Sequence, residues 1–284
     1  MILISFKSLF KMYGYPMKLI TILFFLSLSP ALFASFLEFN SMKLNKNKEL
    51  SLNLSETSIN LLIKDFSEEF EHKIIFKVSE QSSINAYATI DNDDIPTVVI
   101  PKKLFSHPLI DIDGISLLIC HEIGHFYGGA PKQYRGNSKK KSWSSAEGQA
   151  DFYSTSICLK KLLPQNNPKF DIDKYPNIKI ELSQICQNQN CFRIGLASYK
   201  ISKIYAEIKF WNRELSVLKK DSSKVFQILR GHPNPQCRLD TLIAGLLCQE
   251  IRDLSQSEEL FLTCTEEQYK QPSCWFSSNK PEDI

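Results

Sequence analysis

The chain has 284 residues, which is enough for one large domain or two small ones with a well-buried core. Its formal charge is +3, but the first 34 residues hold three lysines and no acidic residue, so the rest of the chain carries 31 basic and 31 acidic side chains. This balance lacks the basic excess of a nucleic-acid-binding surface, and we expect no nucleic-acid partner.

Residues 1–34 have the features of a signal peptide. Lysines precede the apolar run 19–26, and small residues follow near the end of the segment, where we expect cleavage after Ala34. The apolar run is short and Pro30 follows it, which argues against a stable membrane span. We therefore expect an exported protein, periplasmic or secreted, that contacts the membrane only through this leader if the leader is retained as an anchor.

Eight cysteines follow the leader, and an even number in an exported chain predicts disulfide bonds. The chain has no Cys-x-x-Cys pair, so the spacings do not resemble those of a zinc ribbon. Cys186 and Cys191 are predicted to close a small loop, and Cys264 with Cys274 is a second candidate pair. Cys120 lies in an apolar run and is expected to be a buried thiol.

The first predicted element after the leader is a helix over 55–72, where apolar residues recur at helical spacing and form a core-facing stripe. Strands are predicted at 73–78, 86–90 and 97–100. The acidic run 91–94 is interpreted as a solvated turn, because it lacks the glycine and the terminal glutamate of a calcium-binding loop. These segments predict a small, mostly antiparallel sheet.

Pro96 and Pro101 flank the strand that contains Val98, Val99 and Ile100. Prolines at both ends of a strand are typical of a sheet edge, since proline cannot donate a hydrogen bond to the ladder. We predict that this strand is an edge to which an extended peptide substrate can add. The alternative is an ordinary edge strand that its prolines protect.

The most informative stretch is His121-Glu122-Ile123-Gly124-His125, in a helix predicted over 115–126. Residues four apart lie on the same helix face, so both imidazoles can reach one zinc ion. Glu122 projects beside them, where it can take a proton from a water molecule. The alternative is a surface helix with two incidental histidines. The polar residues 132–144 that follow are predicted to be a surface loop, with a flexible lid or a membrane-surface patch as alternatives.

A second helix is predicted to begin near Ser144 and to end before Pro164. Its first turns contain Glu147 and Asp151, and two carboxylates in an otherwise apolar helix need partners if they are buried. We predict that Glu147 is the third zinc ligand and that Asp151 accepts a hydrogen bond from a ligand imidazole. The reversed roles, and an exposed acidic pair at a helix N-terminus, are the alternatives.

Further helices are predicted over 190–218 and after Pro235. His232 and Arg238, near the start of the last helix, are candidates to stabilise the oxyanion that develops when a carbonyl is attacked. Taken alone, His232 is typical of a helix N-cap segment and Arg238 of an ion pair.

Two histidines and a glutamate leave one position open on a zinc ion, as in catalytic rather than structural sites. We therefore expect one Zn²⁺ per chain and hydrolysis of peptide bonds. Glu122 is expected to act as the general base and to return the proton to the leaving nitrogen.

Together these elements resemble the CaaX-prenyl-protease-like family of gluzincin metallopeptidases, which includes exported bacterial members linked to envelope protein quality control. The resemblance implies a zinc endopeptidase that acts on proteins or peptides, such as misfolded envelope proteins, and it implies that His232 and Arg238 lie near the catalytic cleft. The family's further transmembrane helices and helical-repeat extension have no counterpart here, which favours a soluble exported protease over one acting on CaaX substrates. The matching elements occur in the family's order: Asn85-Ala86-Tyr87-Ala88, the strand 98–100, His121 to His125, Glu147 to Asp151, and His232-Pro233 followed by Arg238.

The sequence thus predicts an α+β, mainly helical, zincin-like fold in which the edge strand of a small antiparallel sheet precedes the zinc helix. The expected organisation is a signal peptide (1–34), a metallopeptidase domain (35–250) and a cysteine-containing tail (251–284) packed on that domain. Two alternatives of other classes stay open. One is a zinc-stabilised, non-proteolytic binding or chaperone module of the cell envelope, and the other is a disulfide-stapled structural protein without metal.

Overall fold

The computed structural model describes residues 56–71, 73–136, 140–164, 167, 170–253 and 260–277, all within one compact unit. The predicted signal peptide lies outside these residues. Within these ranges, no helix is both long and apolar enough to cross a membrane.

The α-helices are α1 (Glu56–Glu69), α2 (Ile112–Tyr127), α3 (Glu147–Tyr153), α4 (Leu159–Leu162), α5 (Pro176–Ser183), α6 (Gln189–Ile208) and α7 (Pro235–Leu247). The strands are β1 (Ile75–Ser79), β2 (Tyr87–Ile90), β3 (Pro96–Pro101), β4 (Lys132–Tyr134), β5 (Lys141–Ser145), β6 (Ile251–Asp253) and β7 (Leu262–Cys264). The predicted α+β class is confirmed.

A three-stranded sheet precedes α2 and has the strand order β1–β3–β2. β3 pairs in parallel with β1 and antiparallel with β2, so that Val98 faces Phe76 on one side and Ala88 on the other. The sheet is therefore mixed rather than mostly antiparallel, and its edges are β1 and β2.

The prediction that Val98, Val99 and Ile100 form an edge strand is wrong, because β3 is the central strand. The three side chains are at most 7% exposed, and a continuous apolar run is what a strand covered on both faces requires. Pro96 and Pro101 stand at the two ends of β3, where a strand tolerates a missing N–H. The prolines therefore mark the limits of the strand and not its place in the sheet.

Helix α2 runs through the core, and its residues from Ile112 to Leu117 and from Ile119 to His125 are buried. Two buried ion pairs fix its first turn to α6. Arg193 donates two hydrogen bonds to the Asp113 carboxylate, at 3.0 and 2.7 Å, and Lys200 donates to Asp111 at 2.8 Å. The predicted metal helix is thus held at its start by charge pairs and along its length by apolar packing.

Two predicted segments differ from the structure. The predicted loop 132–144 contains β4 and all of β5 except its last residue, and the two strands form an antiparallel pair. The predicted helix 190–218 ends at Ile208, because Phe210 takes a left-handed φ of 52° that a helix cannot continue. The predicted second helix begins at Glu147 and not near Ser144. It is helical without a break as far as Leu162, but the segment Ser154–Cys158 between α3 and α4 is π-helical.

The eight cysteines form four disulfide bonds, and none is free. The predicted Cys186–Cys191 bond is present. Two expectations are wrong: Cys120 is not a thiol, and Cys264 does not pair with Cys274. Such a set of bonds indicates an oxidising environment, as expected for an exported protein. The observed bonds besides Cys186–Cys191 are Cys120–Cys158, Cys237–Cys274 and Cys248–Cys264.

Candidate metal centre

The start of α3 lies against the middle of α2, which brings the third candidate ligand to the two histidines. The backbones approach closely at Gly124, where an added Cβ would lie only 2.8 Å from the carbonyl oxygen of Ala150 and 2.9 Å from its Cα. A second close contact fixes the other side of α3: a Cβ on Gly148 would lie 2.2 Å from the buried ring of Trp275, in the C-terminal tail. Glu147 is therefore held between α2 and the tail.

Three ligand atoms converge at this crossing. Nε2 of His121 lies 3.3 Å from Oε2 of Glu147, and Nε2 of His125 lies 3.7 Å from the same oxygen. All three residues are buried, and their ligand atoms lie within 4.8 Å of one another. This group could hold a metal ion. The two histidines lie on the same face of α2, as their i, i+4 spacing predicted.

The ring of His125 is oriented for metal binding. Its Nδ1 lies 3.0 Å from the carbonyl oxygen of Ser145 and 3.0 Å from the hydroxyl of Ser144. Because a carbonyl can only accept, the contact with Ser145 assigns a donated N–H to Nδ1, and Nε2 is the ring nitrogen on the side of Glu147. Nε2 of His125 lies 3.7 Å from Oε2 of Glu147, a buried oxygen that has no well-directed hydrogen bond. Two imidazole nitrogens and a carboxylate oxygen that converge in a buried site are a donor set that suits a metal ion, so the residues fit one.

The ring of His121 contacts the carboxylate of Asp151, which in turn accepts hydrogen bonds from Arg238. Nδ1 of His121 lies 2.8 Å from Oδ1 of Asp151, an ion-pair distance without the direction of a regular hydrogen bond. Arg238 donates to both oxygens of Asp151, at 2.9 Å from Nε and 2.7 Å from Nη2. The structure thus places Asp151 beside the ligand ring, as predicted, and gives Arg238 a partner in Asp151.

Electrostatics also favour a divalent cation. Glu122, Glu147 and Asp151 are buried, and Arg238 offsets one of their three negative charges. If the imidazoles are neutral, the centre therefore carries a formal charge of about −2, which one divalent cation would neutralise.

The shifted pKa values have the same cause. Burial would raise the pKa of Asp151, but the charges of Arg238 and His121 outweigh it and hold the pKa at about 2. Burial would lower the pKa of His121, but Asp151 raises it to about 10. Burial also opposes ionisation of Glu147, yet the neighbouring imidazoles of His121 and His232 hold its pKa far below the usual range. In the metal-free protein a proton on His121 supplies part of the missing positive charge, and a metal ion must displace it.

Glu122 lines a cavity of about 360 Å³ together with the candidate ligand His121. Its Oε2 is 4.0 Å from Nε2 of His125, and the residue is 5% exposed. The cavity wall also includes Tyr87 at the start of β2, together with His232 and Arg238. Val98, Val99 and Ile100 do not line it. The predicted base therefore faces a space that a substrate can enter, and the sheet edge at that space is β2.

His232 lies at the centre, as the resemblance implied. Its Nδ1 is 3.0 Å from Oε2 of Glu147, and about half of its side chain is exposed.

Two further residues of the centre were not predicted. Tyr205 lines the cavity, and its ring centroid is 5.6 Å from that of His232. Gln133 donates a hydrogen bond of 3.1 Å to Oε1 of Glu147. Burial raises the pKa of Tyr205, so its hydroxyl stays a hydrogen-bond donor.

The sequence offered no local signal for either residue. Tyr205 lies in a helix whose apolar residues indicate packing, and Gln133 lies in a segment predicted to be a loop. No family model, no curated protein and no solved structure was found to match this chain.

Proposed function

We propose that this protein is an exported zinc-dependent endopeptidase with a zincin-like catalytic domain of the gluzincin type, periplasmic or secreted, acting on peptides or misfolded envelope proteins. The observation that carries the proposal is the convergence of two imidazole nitrogens and a buried carboxylate oxygen within 4.8 Å, beside a second carboxylate at the wall of a cavity. A structural zinc site is closed by four protein ligands, whereas a catalytic one keeps a position open.

His121, His125 and Glu147 would hold the ion, and zinc supplies Lewis acidity that activates water and polarises a carbonyl. Glu122 takes the proton of the attacking water and passes it to the leaving nitrogen. His232, at the cavity wall, donates to the oxyanion as the carbonyl is attacked, and Tyr205 is a second donor.

Arg238 acts through Asp151. The pair holds the ring of His121 so that Nε2 faces Glu147, and an imidazole fixed in this way stays a good ligand. Removing the guanidinium would take away one of two charged partners of the buried Asp151 carboxylate and leave it with His121, which is destabilising.

Substrate binding is assigned to β2, since β3 is covered on both edges. β2 is paired on one side only in the part of the chain that the structure describes. Tyr87 at its start lines the cavity, as do Asn85 and Ala86 just before it. An extended peptide that pairs with β2 gains main-chain hydrogen bonds and places a scissile bond near Glu122.

Metal content and hydrolysis test this function directly. The oxidised protein is expected to bind one zinc ion per chain and to cleave casein, and a chelator should stop the cleavage. Glu122→Gln should keep the zinc and lose hydrolysis by about 10²- to 10⁴-fold, the size of a general-base contribution. Glu68→Gln, at an exposed position of α1, is the matched control and should be as active as the wild type.

The outcomes separate the three classes of function. Bound zinc without turnover, in the wild type as well as the variant, would indicate the binding or chaperone module. A protein without metal that keeps its fold would indicate a structural role.

The assignment of the two acids in α3 is tested by metal affinity. Glu147→Ala should lower zinc affinity more than Asp151→Ala, because it removes a ligand and not a residue that orients one. A larger loss in Asp151→Ala would show that the two roles are reversed.

A further inference from the structure

The cavity beside Glu122 is bounded mainly by apolar side chains. A cavity of about 360 Å³ is in the range of small ligand pockets, and it can hold a large apolar side chain with its neighbouring backbone. The apolar wall consists of Ile84, Leu104, Leu118, Ile201, Ile204 and Ile208.

Lys209 brings a positive charge to this apolar wall. It follows Ile208 at the C-terminal end of α6, and its Nζ lies 5.5 Å from the centroid of the Tyr205 ring. No carboxylate within the described ranges pairs with it. Its neighbour Glu207 instead lies 3.9 Å from Nε2 of His107.

The other charges at the cavity wall have partners. Arg238 is neutralised by Asp151, and a divalent ion would balance the remaining acids of the centre, including Glu122. The ammonium of Lys209 therefore remains as an uncompensated charge beside an apolar space. The contact with Tyr205 steadies it there, since a cation over an aromatic ring is attracted to the ring face.

We propose that Lys209 determines substrate choice by receiving a carboxylate next to an apolar side chain held in the cavity. The carboxylate is either the side chain of an acidic residue or the C-terminus of the peptide. This inference rests on the proposed function, which assigns a peptide substrate to the cavity beside Glu122. It concerns recognition of the peptide and not the chemical step.

Binding is measured instead of turnover, so that the result does not depend on hydrolysis. Zinc-loaded Glu122→Gln protein is titrated into fluorescein-labelled peptides that share one leucine, and affinity is read from anisotropy. Four peptides place Asp or Asn after the leucine, each with a free or an amidated C-terminus. Peptides with a carboxylate should bind about two- to fivefold more tightly than the peptide without one, the size expected of one exposed ion pair, and the difference should shrink with added salt.

Two further variants assign the preference to one side chain. Lys209→Glu should reverse the preference, whereas Lys203→Glu, at an exposed position of the same helix that does not line the cavity, should leave it unchanged. A preference for the free C-terminus alone, or for Asp alone, supports the proposal and identifies the source of the carboxylate. Equal affinities for all four peptides, or equal effects of the two variants, would overturn it.

Failure of the proposed function has a different signature. In that case the zinc-loaded wild type leaves every peptide intact, while the carboxylate preference and its reversal in Lys209→Glu persist.

Discussion

Gly124 sets the distance between the two helices that carry the candidate ligands, and Gly124→Ala tests whether that distance matters. A Cβ at this position would lie 2.8 Å from the carbonyl oxygen of Ala150 and 2.9 Å from its Cα. Both contacts fall short of an ordinary 3.4 Å contact by about half an ångström, and both partners are backbone atoms that cannot rotate away. The helices α2 and α3 must therefore separate.

The expected effects follow from that separation. Overpacking of a core typically costs about 1–3 kcal/mol, and we expect the free energy of unfolding of the metal-free protein to fall by that amount. A shift of about half an ångström also exceeds the tolerance of about 0.2 Å in metal–ligand distances, so zinc affinity should fall at least about tenfold. Urea unfolding with intact disulfides measures the first effect, and competition with a chromogenic chelator measures the second.

Gly114→Ala is the matched control in the same helix. Its nearest contact would be at 3.4 Å, so the added methyl group fits, and loss of glycine's conformational freedom should stabilise α2 by about 0.5–1 kcal/mol. If Gly124→Ala were as stable as Gly114→Ala and bound zinc as tightly, the backbone contact between α2 and α3 would not set the geometry of the centre.

Three other changes have outcomes of different kinds. Arg238→Gln should cost about 3 kcal/mol of stability, the lower end for breaking a buried ion pair, because Asp151 loses one of its two charged partners and keeps His121; it should also lower zinc affinity about 10- to 100-fold, as measured by unfolding and by chelator competition. Burial raises the pKa of Asp240 to about 6, above its unfolded value, so the folded state binds the proton more tightly. The stability from this group is complete below about pH 4 and is lost as the pH rises through 6; Asp240→Asn should lack this dependence in urea unfolding between pH 4 and 7. Phe210→Gly should raise the melting temperature, since a left-handed φ costs about 1–2 kcal/mol for an L-residue and the 94% exposed ring offers no packing to lose.

Each of these has its own control. Arg193→Gln breaks a similar buried pair with Asp113, away from the centre, and should lose stability while keeping zinc affinity. An equal loss of affinity in both arginine variants would remove Arg238 from its positioning role. A difference between wild type and Asp240→Asn that does not change with pH would contradict the raised pKa, and a lower melting temperature in Phe210→Gly would show that the ring packs.

The parts of the centre that depend on local spacing could be predicted from the sequence. His121 and His125 share a helix face at any i, i+4 spacing, and Asp151 lies one turn after Glu147 for the same reason. The need for partners predicted that two acids in an apolar helix would face the histidines. These inferences required only the geometry of single helices and the cost of burying charge.

The parts that depend on distant packing could not be predicted. Tyr205 and Lys209 reach the cavity because α6 is anchored to α2 by ion pairs far apart in the sequence, between Asp113 and Arg193 and between Asp111 and Lys200. Disulfide connectivity is equally non-local. The position of β3 is open to prediction from the sequence, since its unbroken apolar run favours a central strand, whereas prolines at the ends of a strand are compatible with either a central or an edge position.

The edge of β2 that has no partner strand within the described ranges has a consequence for how a protein client would be chosen in the proposed function. A strand of four residues accepts only extended chain, and a folded domain offers extended chain to it only when a segment detaches from its own sheet or helix. When such opening and closing are fast compared with cleavage, the rate follows the equilibrium population of the open form. Clients would then be ranked by how often they open locally, so that two proteins with the same cleavable segment survive for different times according to their folding stability.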